Sequence, residues 1–129
     1  MTKEEYEEVG SKIVHAAYEV HKELGPGLLE SVYEYCLVKE LKAQHLKVEN
    51  QVRMPLMYKG EALEKEFVMD ILVENRIVIE LKAVEEIQPI HEVQLLTYMR
   101  LADKRLGYLI NFNVPLIKQG IKRKVNSFY

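Results

Sequence analysis

The chain has 129 residues, of which 48% are hydrophobic and 29% charged. It is long enough for one packed core and too short for two ordinary domains, so we expect residues 1–129 to form a single domain. The formal net charge of −2 excludes a surface that is basic throughout, and any contact with nucleic acid must therefore come from a local patch.

The sequence predicts a cytoplasmic protein with no membrane span. Its N-terminus is acidic and lacks an apolar signal core, and no stretch approaches about 18 uncharged apolar residues. Cys36 is the one cysteine, so no internal disulfide can form, which suits a reducing compartment.

The first third of the chain predicts two helices that form an αα-hairpin. Apolar residues keep helical spacing over 4–24, and Thr2 with Glu5 three residues on forms a capping box at the start. Gly25-Pro26-Gly27 ends this helix. A second helix is expected over 28–44, with a buried face made of Leu29, Val32, Tyr33, Cys36, Leu37 and Leu41.

The rest of the chain predicts a mixed sheet. Strands are expected over 46–57, 62–73 and 77–84, followed by a helix over 89–102 with Pro89 in its first turn and a strand over 106–112. A strand, helix, strand order implies a crossover, and therefore one parallel pair in an otherwise antiparallel sheet. Residues 121–125 are expected to add an edge strand.

Three charged residues interrupt two of these predicted strands. Residues 67–73 and 77–84 are apolar at both parities except at Asp70, Glu80 and Lys82. Strands of this kind are covered on both faces, where an ionised side chain costs several kcal/mol unless a partner or a metal compensates it. A loop over 74–76 would place Asp70 opposite Glu80, because both lie five residues from Asn75. Lys82 follows on the same face.

Two adjacent carboxylates and a lysine suggest a particular chemistry. The carboxylates raise each other's pKa unless a cation lies between them, and hard oxygen ligands on strands suit Mg²⁺ or Mn²⁺. A lysine beside such a pair fits water activation, so the pattern indicates metal-assisted hydrolysis of a phosphodiester. An Asp/Glu/Lys ion-pair network with a purely structural role accounts for the same pattern.

Two motifs carry a resemblance to a known family. The order of elements, with Asp70 on the second strand and Glu80-Leu81-Lys82 on the third, resembles the core of the PD-(D/E)xK nuclease superfamily. Residues 27–33, Gly-Leu-Leu-Glu-Ser-Val-Tyr, resemble the motif of the GxxExxY family within it. The resemblance covers about residues 9–126 and implies an α/β fold of the restriction-endonuclease type. Met69 stands where the superfamily's name-giving proline would be.

The resemblance also implies roles for individual residues. Asp70 and Glu80 would bind Mg²⁺ or Mn²⁺, Glu30 would reach the same metal from its helix, and Lys82 would orient or activate the water. Gln94 and Tyr98, four residues apart on one helix face, resemble the Gln-x-x-x-Tyr element of exonuclease-type members, which positions the phosphate or the lysine. The substrate would be DNA or RNA.

Several of these residues also have structural interpretations. Glu30 lies in a first helical turn, where the helix dipole favours an acidic residue. His91 shares a helix face with Gln94 and Tyr98 and is interpreted either as a phosphate contact or as a solvated residue at the helix start.

Target recognition requires groups outside the predicted site. Lys122, Arg123 and Lys124 form the basic patch expected to contact nucleic acid, unless they are a solvated face. The chain has no room for a separate recognition domain, so a protein partner or a second copy would supply specificity. A non-catalytic interaction module that keeps the acidic cluster as an ion-pair network is the alternative function.

Overall fold

The computed structural model describes residues 1–127. Phe128 and Tyr129, the end of the domain predicted over 1–129, lie outside the described residues. The helices are α1 (Lys3–Leu24), α2 (Glu30–Ala43) and α3 (Pro89–Leu101). The strands are β1 (Val48–Tyr58), β2 (Glu61–Val73), β3 (Ile77–Lys82), β4 (Leu106–Asn111) and β5 (Ile121–Val125), with a 3₁₀ turn at Ile117–Gly120.

The strands of residues 1–127 form a five-stranded sheet in the order β1-β2-β3-β4-β5. Neighbours pair antiparallel except β3 and β4, which are parallel because α3 carries the chain back across the sheet between them. The structure therefore confirms the predicted α/β fold, including the single parallel pair within the described sheet and the edge strand over 121–125.

The sheet separates two hydrophobic cores. The α1–α2 core lies between one face and helices α1 and α2, and its fully buried residues include Ile13, Leu37 and Ile79. The α3 core lies between the other face and α3, and includes Met69, Leu95 and Met99. No helix within residues 1–127 is long and apolar enough to cross a membrane.

Helix α1 begins at the predicted capping box. The Glu5 N–H donates to Thr2 Oγ1 at 3.1 Å, and the Thr2 N–H donates to the Glu5 carboxylate at 2.9 Å. These two bonds satisfy backbone donors at the start of α1 that have no partner within the helix.

Helix α2 begins two residues later than predicted. Gly27 has a φ of 101°, which a glycine adopts readily, and Leu29 is extended with a ψ of 147°. The expected buried face was therefore wrong at its N-terminal end: Leu29 is 74% exposed and Val32 is 37% exposed. Tyr33, like Leu37 and Leu41, is fully buried as predicted.

Candidate active site

Asp70 and Glu80 lie opposite each other where the β2–β3 ladder gives way to side-chain hydrogen bonds. The register pairs Ile71 with Ile79 and Val73 with Ile77, which continues to Asp70 and Glu80 and confirms the predicted alignment. The Asp70 N–H donates to Glu80 Oε2 at 3.1 Å, and the Leu81 N–H donates to Asp70 Oδ2 at 2.8 Å. Each carboxylate thus accepts a backbone donor from the opposite strand, which fixes the two side chains against each other.

The Glu80 carboxyl is shielded from water and lies beside the half-buried Asp70. Glu80 is only 5% exposed, and this burial, together with the hydrogen bond and charge of Asp70, raises the pKa of Glu80 to about 9. The positive charge of Lys82 acts in the opposite direction without overcoming these effects. At neutral pH and without a cation, Glu80 is therefore protonated.

Lys82 is the last residue of β3. Asn111 and Phe112 hold the backbone around it in place. The Phe112 N–H donates to the Lys82 carbonyl at 3.0 Å. The Asn111 side chain, 2% exposed, donates to the Val84 carbonyl at 2.9 Å and accepts from the Val84 N–H at 3.1 Å. The amide thereby continues strand-like pairing beyond the end of β3 and holds Lys82 beside the carboxylates.

Sequence reasoning missed Asn111. A signal for it was present, because Asn111 is the polar residue that ends the otherwise apolar run 106–111. A buried amide requires partners for both its donor and its acceptor atoms, and the Val84 backbone provides them.

Glu30 reaches the same region from the first turn of α2. Partial burial of the carboxyl raises the pKa of Glu30, and the negative charge of Asp70 raises it further. The positive charge of Lys82 lowers it. These opposing effects place Glu30 within electrostatic range of both side chains. Glu30 is exposed as a whole residue, so its carboxyl lies at the rim of the site.

Tyr33 explains the spacing of the motif over 27–33. Its hydroxyl donates to the Gly25 carbonyl at 2.6 Å and accepts from the Leu28 N–H at 3.1 Å. Its ring stacks on Phe112, with centroids 4.6 Å apart and planes 5° apart. The buried tyrosine thus holds the loop that precedes Glu30, which fixes where α2 begins and where Glu30 points.

Helix α3 contributes Tyr98 from the opposite side of the pair. The Tyr98 ring contacts Phe67 at a centroid distance of 4.9 Å. Burial, followed by the charges of Glu80 and Asp70, raises the pKa of Tyr98, so its hydroxyl keeps its proton. Gln94, one turn earlier, is exposed. His91 acts in helix capping, since its Nδ1 accepts from the Gln88 N–H at 3.0 Å.

The predicted basic residues of β5 are divided between the two faces of the sheet. Arg123 bonds to Glu7 on α1 at 3.2 Å, whereas Lys124 bonds to Glu92 on α3 at 2.5 Å. Alternation along the strand places Lys122 on the side of Lys124, where both lysines contribute to lowering the pKa of Glu92. The three side chains therefore do not form one continuous patch.

The carboxylates fit a hard divalent cation. Within residues 1–127, no three His, Cys, Asp or Glu side chains are already close enough together to hold a metal ion. Asp70 and Glu80 nevertheless supply two adjacent oxygen ligands. Protonation of Glu80 relieves the repulsion between them. Glu30 lies within electrostatic range of Asp70. Mg²⁺ binds proteins through one or two carboxylates and keeps several waters, so this donor set suits it.

A comparison with protein families gives a match that spans the whole site. The model of the PD-(D/E)XK nuclease superfamily matches residues 7–124. This range includes each of the candidate residues described above. No curated protein and no solved structure matches the chain.

Proposed function

Because the chain belongs to the PD-(D/E)XK nuclease superfamily, we propose that it is a metal-dependent nuclease that hydrolyses phosphodiester bonds of DNA or RNA at Asp70 and Glu80. One observation carries the proposal: the buried carboxyl of Glu80 and the half-buried carboxyl of Asp70 each accept a backbone N–H from the other's strand, and the raised pKa of Glu80 leaves a proton where a cation could bind instead. The motif over 27–33, which positions Glu30 through Tyr33, supports the narrower assignment to the GxxExxY family.

Asp70 and Glu80 are the proposed ligands of Mg²⁺ or Mn²⁺, with Glu30 as a further ligand from α2. Such an ion would polarise the phosphoryl group and lower the pKa of the attacking water. Glu80 must lose its proton before it can act as a ligand, because burial and Asp70 raise its pKa. Loading of the site is therefore coupled to proton release.

Lys82, Tyr98 and Gln94 are the residues proposed to act on the water and the phosphate. In the proposed mechanism the Lys82 ammonium orients the water and stabilises the negative charge that develops on the phosphoryl oxygens. Tyr98, kept protonated by its raised pKa, can donate a hydrogen bond to a phosphate oxygen. Gln94 lies one helical turn from Tyr98, and its exposed amide would position the substrate at the mouth of the site.

Hydrolysis assays test this proposal. Labelled single-stranded DNA, duplex DNA and RNA are incubated with the protein and Mg²⁺, Mn²⁺ or EDTA. Product should form only with a divalent ion, and Asp70→Asn should abolish it. Asp103→Asn, the same change at an exposed aspartate after α3, is the matched control and should retain activity. Cleavage that survives in Asp70→Asn, or no cleavage of any substrate, would overturn the proposal.

Substrate binding is proposed to be weak and strongly dependent on salt. Phosphates would have to displace Glu7 from Arg123 and Glu92 from Lys124, and binding to cations releases counterions. Replacing Lys122, Arg123 and Lys124 together by alanine should flatten the dependence of affinity on salt. An unchanged slope would show that these residues are only a solvated face.

The proposal extends to the surroundings of the protein. A partner protein or a second copy would supply target recognition, because Arg123 and Lys124 of β5 are already paired with Glu7 and Glu92. A cytoplasmic location fits the proposal, because nucleic acids are available there and Cys36 would stay reduced.

A further inference from the structure

Strand β2 rotates at Asp70, so that alternate residues before and after Asp70 face different cores. Phe67 and Met69 pack in the α3 core, whereas Ile71 and Val73 pack in the α1–α2 core. All four have the same parity, and in a regular strand they would share one face. The strand is therefore irregular between Met69 and Ile71, where Asp70 lies.

Strand β1 changes face at the residue opposite. The register pairs Asn50 with Ile71 and Val52 with Met69, which leaves Gln51 facing Asp70. Gln51 has a φ of 52°, in the left-handed region that residues other than glycine rarely adopt. Val48 packs against the α1–α2 core and Val52 against the α3 core, so the two strands switch faces together.

Glu34 on α2 holds this irregularity in place. Its Oε1 accepts from Gln51 Nε2 at 2.7 Å, and its Oε2 accepts from Asn50 Nδ2 at 3.3 Å. Consecutive residues of a regular strand point to opposite faces, yet here both amides reach one carboxylate. Glu34 also lies one turn after Glu30, so the same helix face supports the rim of the candidate site and the β1 irregularity.

We propose that Glu34 and Gln51 are positioning residues that place Asp70 against Glu80. The left-handed turn at Gln51 lets β2 rotate at Asp70, which frees the Asp70 N–H for the Glu80 carboxylate and directs Asp70 Oδ2 to the Leu81 N–H. Glu34 selects this conformation by binding the two amides that it brings to one side. This inference rests on the proposed function only for Mn²⁺ binding, which requires that the carboxylates bind a metal.

Two pairs of variants separate positioning from general stability. Glu34→Ala removes the acceptor, and Glu40→Ala makes the same change elsewhere on α2 as its control. Gln51→Val disfavours the left-handed conformation through its branched side chain, whereas Gln51→Gly allows it without strain. Amide hydrogen exchange is measured in the metal-free protein at Asp70 and Leu81, the two donors to the carboxylates, and Mn²⁺ affinity is measured by calorimetry.

Glu34→Ala and Gln51→Val should speed exchange at Asp70 and Leu81 by about tenfold or more relative to Leu72, because each donor loses its bond to a carboxylate. They should weaken Mn²⁺ binding by about tenfold or more, as loss of a supporting contact does at metal sites. Glu40→Ala should match the wild type in both measurements, and Gln51→Gly, which loses the bond to Glu34 but allows the left-handed conformation, should change less than Gln51→Val. If Glu34→Ala does not fold, Glu34→Gln, which keeps an acceptor for Gln51, should give a smaller change in the same direction.

The two proposals can fail separately. A wild type that binds no Mn²⁺ and cleaves nothing overturns the proposed function, while exchange at Asp70 and Leu81 still tests the positioning role without metal or substrate. Folded Glu34→Ala and Gln51→Val variants with wild-type exchange at both amides would overturn that role. Faster exchange by the same factor at Leu72 would overturn it as well, because it would show a loss of general stability.

Discussion

The metal-free protein should lose stability as the pH rises, because Glu80 takes up a proton on folding. Glutamate has an ordinary pKa of 4.5, and burial with the nearby Asp70 raises the pKa of Glu80 to about 9 in the folded protein. Between these values the folded state binds more protons than the unfolded state, so the free energy of unfolding falls with pH. This contribution is fully present below the unfolded pKa and is lost as the pH rises through the folded one.

The size of the effect follows from one proton. Within that window the free energy of unfolding changes by about 1.4 kcal/mol for each pH unit. From pH 5.5 to pH 7.5 the expected loss is therefore up to about 3 kcal/mol from Glu80 alone. Because Glu80 is 5% exposed, screening by solvent reduces this figure little.

Urea unfolding in EDTA, repeated from pH 5 to pH 8.5, measures the effect. Glu80→Gln has the shape of the protonated acid and cannot ionise, so its stability should lack this part of the slope. Glu64→Gln, the same change at an exposed glutamate of the neighbouring strand β2, should keep the wild-type slope. Parallel curves for the wild type and Glu80→Gln would refute the reasoning.

Metal binding should release the proton that Glu80 takes up on folding. A divalent ion needs both carboxylates ionised, so its affinity should rise with pH. At neutral pH about one proton should be released for each Mn²⁺ ion bound, since Glu80 is protonated beforehand. Calorimetric titrations in buffers of different ionisation enthalpy count these protons, and binding without proton release would contradict the assignment.

Three further substitutions have defined outcomes. Lys82→Ala should bind Mn²⁺ with wild-type affinity in calorimetry and lose hydrolysis, whereas a large fall in Tm that no divalent ion reverses would favour a structural ion-pair network. Tyr33→Phe leaves the Leu28 N–H without its acceptor and should lower the free energy of unfolding in urea by about 1–3 kcal/mol; unchanged stability would contradict the role given to the hydroxyl. Asn111→Ala should cost about 2–3 kcal/mol and speed amide exchange at Val84, and slow exchange there would show that the amide is not needed.

The order of elements and the alignment of the carboxylates could be predicted because both depend on local patterns. Helical periodicity and glycine-rich breaks defined α1, and the equal distances of Asp70 and Glu80 from Asn75 set the β2–β3 register. A short loop between two strands leaves few alternatives for that register. The parallel pair followed from the helix between β3 and β4.

The features that sequence reasoning missed arise from contacts between distant segments. Nothing in the sequence near Gln51 indicates its positive φ, because the contact that accompanies it comes from Glu34 on α2. Leu29 was predicted to be buried because it continues the apolar spacing of α2, but the turn at Gly27 delays the helix and leaves Leu29 exposed.

The division of the basic residues, by contrast, could have been predicted. Residues 121–125 were expected to form a strand, and side chains alternate between the faces of a strand. Arg123 must then lie opposite Lys122 and Lys124, as the ion pairs of Arg123 with Glu7 and of Lys124 with Glu92 show.

A crystal soaked in Mn²⁺ and measured at the manganese absorption edge tests the central claim most directly. A nuclease site of the proposed kind should show an anomalous peak between the Asp70 and Glu80 carboxyls, about 2.1 Å from an oxygen of each. The peak should be absent from crystals of Asp70→Asn. Carboxyls that keep their mutual contact with no anomalous density between them would contradict the claim and identify the pair as a structural network.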